Sequence, residues 1–231
     1  MIKRFFDTAA PVSLDGGFGV ALDGKPVRTP AKAALAVPGL GLAEAIAAEW
    51  NAQGPKIDPR AMPLTGLANA AIDRIAPDPA AFAAGLAAYA ESDLLAYRAD
   101  HPADLVARQA ARWDPIIAWA RARYDVDFLV TSGIIHQPQP ETTLQRLRAA
   151  TAAYTPFELA GLQPIVTISG SLLIALALAE AHISAEDAWA AGQLDELYQE
   201  EQWGVDELAL KAREAKRRDF DIGVRFLELS R

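Results

Sequence analysis

The stretch GGFGVALDGKPVRTP, residues 16–30, decides the fold class of the N-terminal region. It contains a short run of β-forming residues, then Asp-Gly at positions 23 and 24, and then a second β-forming run. Asp-Gly between two such runs is typical of the tight turn of a β-hairpin. We therefore predict strands and turns from residue 7 to about residue 38.

From about residue 40 onward the apolar residues recur at the spacing of helices. Leu42, Ile46 and Trp50 fall on one face of a first helix, and prolines divide the rest of the chain into further helices. The most apolar stretch, residues 165–179, begins after Pro164 and is shorter than the roughly 20 residues of a bilayer span, so we predict a wholly buried helix there. The predicted fold class is α+β, with a small N-terminal β domain over residues 1–39 and a larger all-helical domain over residues 40–231.

The overall charge of the chain disfavours two classes of partner. The 231 residues include 30 acidic and 22 basic ones, which give a formal net charge of -8. Phosphate backbones and anionic lipid surfaces repel such a protein, so we expect neither nucleic acid binding nor membrane insertion. A basic partner suits this charge better. The chain has no cysteine, which excludes disulfides, thiolate metal sites and cysteine nucleophiles.

Motifs for catalysis and cofactor binding are incomplete in this sequence. Residues 19–26, GVALDGKP, match a phosphate-binding loop but have Pro26 at the Ser/Thr position, and a β run follows where a helix is required. The three histidines are far apart and lack partners at metal-binding spacing. Ser171 has no nucleophile elbow around it, and we predict that it caps a buried helix. We expect no catalytic, cofactor-binding or metal-binding residue.

The segment DELYQEEQWGVDE, residues 195–207, places six carboxylates around Trp203. If residues 192–208 form one helix, Trp203 lies opposite the apolar face. An aromatic residue among carboxylates is typical of an interface that suits a basic or amphipathic partner. In the alternative, Gly204 ends the helix and Trp203 folds back against the C-terminal helix. The predicted apolar face consists of Leu194, Leu197, Tyr198, Val205 and Leu208.

Four other features have more ordinary interpretations. Trp50 continues the apolar face of its helix, so core packing is favoured over an interface role. Asp93 and Tyr97, four residues apart, are placed to hydrogen-bond on one helix face in a buried structural network. The basic run KAREAKRR, residues 211–218, is interpreted as a solvated helix face. Residues 128–140, FLVTSGIIHQPQP, are predicted to form an extended connection or a short strand.

Read in order, several motifs resemble one family, the assembly chaperones that hold the free α subunit of the F-type ATP synthase catalytic head. The similarity runs from about residue 4 to about residue 222, which is nearly the full chain. Each motif is weak alone, but their order and spacing make the match specific. The motifs are FFDTAAP, LDGKPVRTPAK, AAEWNAQ with IDPRAMPLTGLANAAID, ESDLLAYRA, LVARQAARWDPIIAWA, GIIHQPQ and DELYQEEQWGVDE.

The resemblance implies a non-enzymatic chaperone with no bound nucleotide and no cofactor. Such a protein covers the surface of a lone α subunit that later contacts the β subunit, and it leaves as the hexamer forms. We expect a monomer when free. We expect it in the bacterial cytoplasm, or in the mitochondrial matrix if the source is eukaryotic.

The resemblance also implies a set of partner-binding residues. The acidic position of the family falls within LDE, at Asp195 or Glu196, and Gln199 and Trp203 follow at the family's spacing. Trp50 matches through AEW. With the neighbouring carboxylates, the predicted partner-binding set is Asp195, Glu196, Gln199, Glu200, Trp203, Glu207 and Trp50.

Two other functions stay open on the sequence alone. A small carboxylate-dependent hydrolase at the acidic cluster would need a carboxylate with a raised pKa opposite a second carboxylate across a cleft. A general helical adaptor for a different basic protein would use the same surface without any relation to ATP synthase.

Overall fold

The structure is a computed structural model that describes residues 2–133, 135–204 and 206–231. It has the predicted α+β class: short strands at the N-terminus are followed mainly by helices. The strands are β1 (Ala9–Leu14), β2 (Gly17–Leu22), β3 (Lys25–Pro26), β4 (Tyr97–Arg98) and β5 (Thr131–Ser132). The helices are α1 (Leu40–Asn51), α2 (Pro63–Ala70), α3 (Pro79–Ala87), α4 (Ala103–Tyr124), α5 (Glu141–Ala152), α6 (Pro156–Ser169), α7 (Leu172–Ala179), α8 (Ala185–Gly192), α9 (Leu194–Trp203) and α10 (Glu207–Leu229).

The chain folds into two compact units, each made of several segments. The first unit comprises Met1–Pro79, Thr155–Gly161 and Ile222–Arg231, and the second comprises Ala80–Tyr154 and Leu162–Asp221. This division differs from the predicted domains 1–39 and 40–231, because α1 packs on β1 and β2 and so belongs with the strands. The predicted boundary marks the change of secondary structure at Gly39, the N-cap of α1.

The hairpin predicted from Asp-Gly is present in the first unit. Strands β1, β2 and β3 form an antiparallel sheet in that order. Asp23 and Gly24 connect β2 to β3 with φ angles of 47° and 81°, as a two-residue hairpin turn requires. Because a strand follows Gly24, this segment lacks the helix N-terminus that a phosphate-binding loop needs.

Helix α1 is joined to the N-terminal strand by side-chain hydrogen bonds. Leu42 and Ile46 of its predicted apolar face are fully buried. The Asn51 side chain accepts from the Ala9 amide and donates to the Ala9 carbonyl, both at 2.8 Å. The Arg4 guanidinium donates to the Asn51 carbonyl at 3.3 Å, among carbonyls left free where α1 ends. These bonds fix α1 against the sheet.

The long uncharged run forms two helices instead of the single one predicted. Helix α6 ends at Ser169, Gly170 has a φ of 67°, and α7 begins at Leu172. The hydroxyl of Ser171 accepts from the Ile174 amide at 3.0 Å, which confirms the predicted N-cap. The predicted burial is correct for α7, where nearly every residue is buried, but not for the whole run, since Thr167 on α6 is exposed. No helix among the described residues is long and apolar enough to cross a bilayer.

Asp93 connects the segment before β4 to the start of α7. Its fully buried carboxylate accepts from the Leu95 amide at 3.0 Å and from the Leu173 amide at 3.1 Å. The predicted buried network at Asp93 is therefore present, but the predicted pairing with Tyr97 is wrong. The chain leaves the helical conformation after one 3₁₀ turn, and Tyr97 lies on β4, where its hydroxyl bonds to Nδ1 of His136 at 2.9 Å.

The segment 128–140 contains the predicted short strand. Strand β5 pairs in parallel with β4, and the Gly133 amide donates to the Arg98 carbonyl at 3.1 Å. Ile134, which belongs to the motif GIIHQPQ, lies outside the described residues.

We predict that Asp93 makes the stability of the protein fall as pH rises. Burial raises the pKa of Asp93 to about 6 from its ordinary 3.8, so its folded-state pKa lies above its unfolded-state pKa. The stabilisation is complete below pH 4 and is lost as pH rises through 6, by about 3 kcal/mol at roughly 1.4 kcal/mol per pKa unit. Urea unfolding of the parent and Asp93→Asn at pH 4 and pH 7 measures this. The stability deficit of Asp93→Asn should be smaller at pH 7, and an equal deficit at both pH values would contradict the prediction.

Candidate protein-binding surface

Helix α9 lies between two grooves of the second unit. Its Leu197 and Tyr198 line a groove of about 500 Å³ with residues of α4 and α8. On its other side is a groove of about 380 Å³ shared with α10, which we call the α9–α10 groove. Six residues define its chemistry: Glu196, Gln199, Glu200 and Trp203 from α9, with Arg213 and Lys216 from α10.

The acidic segment is divided between two helices, and the predicted single helix over residues 192–208 is wrong. Gly204 has a φ of 87° and a ψ of 167°, a conformation that glycine adopts readily and that cannot continue a helix. The Asp206 carboxylate then accepts from the Leu208 amide at 3.2 Å at the start of α10. Leu208, predicted to face the core, is 74% exposed. Val205, predicted on the same face, lies outside the described residues.

The structure agrees with one part of each of the two interpretations of Trp203. Gly204 does end the helix, as the alternative proposed, but the Trp203 side chain is 79% exposed and is not covered by α10. A tryptophan exposed to this degree contributes little to the core, although single exposed apolar side chains such as Ile135 also occur in this chain. Tryptophan is the type of residue that supplies binding energy in protein interfaces.

The geometry separates Asp195 from Glu196, which the sequence left as alternatives. Asp195 points away from the α9–α10 groove and accepts from the Gln109 side-chain amide at 2.8 Å. The other end of that buried amide accepts from the Ala99 backbone at 2.9 Å, so Asp195 completes a network with α4. Glu196 is exposed and lines the groove. Asp195 therefore has a structural partner, whereas the Glu196 carboxylate faces solvent.

The other carboxylates of the predicted set form ion pairs. Glu200 contacts Arg213 of α10, and Glu207 contacts Lys211 one helical turn later at 2.7 Å. The Glu200 pair is partly buried, but the Glu207 pair is exposed, and exposed pairs of this kind contribute little stability.

Glu196, Gln199 and Trp203 form a row along the exposed side of α9. They stand at positions i, i+3 and i+7, so the helix brings them onto one face over about 10 Å. The row begins with a carboxylate and ends with an aromatic ring. It can accept a hydrogen bond from a basic group at one end and cover an apolar side chain at the other.

Trp50 belongs to the first unit and is not a lining residue of this groove. Its ring packs edge-on against Phe6, with centroids 5.6 Å apart. The surroundings of Trp50 therefore agree with the core-packing interpretation, although the side chain is partly exposed.

The wall of the groove that α10 supplies is not among the features predicted from the sequence. The run 211–218 was interpreted as a solvated face, which is wrong for two of its arginines. Arg213 pairs with Glu200, and Arg217 pairs with Glu186 at 2.8 Å and stacks over the Trp189 ring at 5.2 Å. The sequence signal for this arrangement is Gly204. If Gly204 ends the first helix, the chain can turn back and the basic run can lie beside the acidic segment.

The chain matches the family described as ATP12 chaperone protein over residues 3–121. It is 42% identical to Atp12 from Paracoccus denitrificans, whose crystal structure superposes with a TM-score of 0.94 and covers 100% of this chain and 99% of that one. A mutant of the same bacterium's Atp12p gives 42% identity and a TM-score of 0.94, with 100% and 98% coverage. A protein from Agrobacterium tumefaciens is 39% identical, with a TM-score of 0.93 and 99% and 86% coverage.

The chain belongs to the ATP12 chaperone family. It is therefore a chaperone of ATP synthase assembly, as the order of motifs predicted. The match to the family covers residues 3–121 and so does not include α9, but the similarity to the Paracoccus structures extends over the whole chain. Among the described residues, no three His, Asp or Glu side chains lie close enough together to hold a metal ion.

We predict that replacing Asp195 by alanine destabilises the protein and that the same replacement of the adjacent Glu196 does not. Asp195→Ala removes the acceptor of the buried Gln109 amide, and leaving such a donor unpaired costs about 1–3 kcal/mol. Glu196→Ala changes an exposed residue and should alter the free energy of unfolding by less than about 0.5 kcal/mol. Urea unfolding of both variants gives the comparison. Equal losses would mean that Glu196 is also part of the core network.

Proposed function

We propose that this ATP12-family chaperone binds the free α subunit of the F-type ATP synthase through the α9–α10 groove and covers its β-facing surface until the hexamer forms. The observation that supports this most directly is Trp203, exposed at the end of α9 beside a carboxylate that faces solvent. Family membership supports the role in ATP synthase assembly. The choice of the α subunit is our proposal.

A removable cover has a clear physical purpose for an unassembled subunit. Surface that will be buried in a hexamer is partly apolar, and a lone subunit that exposes it tends to aggregate. Burying one tryptophan ring at the centre of an interface contributes about 2 kcal/mol or more, which is enough to make it a dominant contact.

The charges of the groove favour a segment of the client with a basic residue. Glu196 is exposed in the groove, whereas Glu200 is already paired with Arg213 and the exposed Asp206 accepts from the Leu208 amide. A client segment that places a Lys or Arg about 10 Å from an apolar side chain would meet Glu196 and Trp203 together. The net charge of -8 attracts such a segment from a distance, with a dependence on salt.

Within the predicted partner-binding set, the surroundings support different roles. Glu196, Gln199 and Trp203 are proposed as direct contacts. Asp195, Glu200, Glu207 and Trp50 have partners within the chain and are proposed to support the surface or to contact the client at its edge. We also propose that the free protein is a monomer and that it acts in the bacterial cytoplasm, since the similar solved structures come from two bacteria.

We predict that Trp203→Ala and Glu196→Lys each weaken binding of the α subunit at least tenfold without unfolding the chaperone. Trp203→Ala removes an aromatic contact, and Glu196→Lys places a like charge opposite a basic group. Freshly refolded α subunit is mixed with each variant, and complex formation is measured by size-exclusion chromatography. Light scattering during mild heating reports protection from aggregation.

A matched control is Glu91→Lys, which makes the same change of charge at an exposed site of the second unit outside the groove. It should bind like the parent protein. Equal loss in Glu91→Lys and Glu196→Lys would mean that net charge, not the groove, determines binding. If the parent forms no complex with the α subunit at micromolar concentration but binds another basic protein, the adaptor alternative replaces this proposal.

A further inference from the structure

The ion pair between Glu200 and Arg213 differs from the other ion pairs of the described residues. Its side chains are 19% and 21% exposed, and in every other pair at least one side chain is more than a quarter exposed. A pair with this degree of burial is screened less by salt and water than a surface pair. Removing either partner would leave the other charge partly buried without a counter-ion, which costs more than it would at the surface.

This pair also crosses from one wall of the α9–α10 groove to the other. Glu200 is on α9, one turn before Trp203, and Arg213 is on α10. In the described part of the chain it is the one ion pair or side-chain hydrogen bond that joins the two helices. The other α10 residues that line the groove are Ala209, Ala212 and Lys216.

The described residues of the connection between the two helices, Gly204 and Asp206, do not bond to α9 through a side chain. The connection passes through Gly204, which has a φ of 87° and no side chain to contact its neighbours. A Cβ built at this position would have no atom within 4 Å. Asp206 accepts from the Leu208 amide at the start of α10, and its side chain is not bonded to a described residue of α9. The width of the groove is then set by the Glu200–Arg213 pair together with the packing of each helix on its other neighbours.

We propose that Glu200 and Arg213 are positioning residues that hold α9 against α10 and so keep Trp203 and Glu196 in the arrangement that receives the client. This inference rests on the proposed function for the client, but the arrangement of the helices can be tested without one. It gives Glu200 a role different from the direct contact expected for a carboxylate of the predicted partner-binding set.

The first test measures the distance between the helices in the absence of client. The chain has no cysteine, so Gln199→Cys on α9 and Lys216→Cys on α10 provide two unique sites for spin labels. Pulsed electron paramagnetic resonance should give one narrow distance distribution in this background. Adding Arg213→Gln should broaden it at least twofold, and the charge swap Glu200→Arg with Arg213→Glu should narrow it again.

A matched control for this test is Arg108→Gln. It removes the pair of Arg108 with Glu201, which joins α9 to α4 on the opposite side and has both side chains about half exposed. The inter-helix distance should not change in this variant. An unchanged distribution in Arg213→Gln, or equal broadening in Arg108→Gln, would overturn the inference.

The second test uses the α subunit and the unlabelled variants. Arg213→Gln and Glu200→Gln should each weaken binding at least fivefold, and the charge swap should restore it to within twofold of the parent. If the swap restores the helix distance but not binding, Glu200 contacts the client directly and the positioning role is overturned. If the parent itself does not bind the α subunit, the proposed function is wrong, while the distance measurement still decides whether the pair holds the helices.

Discussion

A positive φ at Gly204 is the constraint on which the candidate surface depends. At 87° the backbone leaves the helical conformation, so one acidic segment becomes the end of α9 and the start of α10. Without this break Trp203 would lie in the middle of a continuous helix, with no second wall beside it. With the break, α10 returns beside α9 and brings Arg213 to Glu200. The same device divides the buried run at Gly170, where a φ of 67° separates α6 from α7.

Polar side chains form hydrogen bonds to backbone groups that are left unpaired where the helices begin and end. Each helix end exposes amides or carbonyls that need partners, and several of the notable polar residues in this chain supply them. Ser171 and Asp93 serve the start of α7, and Glu49 accepts from the Leu64 and Thr65 amides at the start of α2 at 2.7 and 2.8 Å. A polar residue in such a position has a structural reason to be there and is a weaker candidate for binding.

Separating the carboxylates that have partners within the chain from those that do not reduces the number of candidate binding residues. The acidic segment is rich in carboxylates, but most of them have partners within the fold. Asp195 accepts from Gln109, Glu200 pairs with Arg213, and Glu201 pairs with Arg108. Glu196 and Trp203 remain directed to solvent on one side of one helix. A chaperone needs such residues, since contacts that are already satisfied within the chain offer a client little.

The sequence by itself determined the class of the fold, because its causes are local. Asp-Gly at residues 23 and 24 specifies a turn, and the four-residue spacing of Leu42 and Ile46 specifies a buried helix face. It also determined the family, since the order of short motifs is a property of the sequence, but it left open whether Trp203 faces solvent. Only the tertiary structure decided which carboxylate is free and which is paired. Gln109 and Arg213 lie 86 and 13 residues from their acidic partners, and no local pattern records a contact between side chains that folding brings together from distant positions.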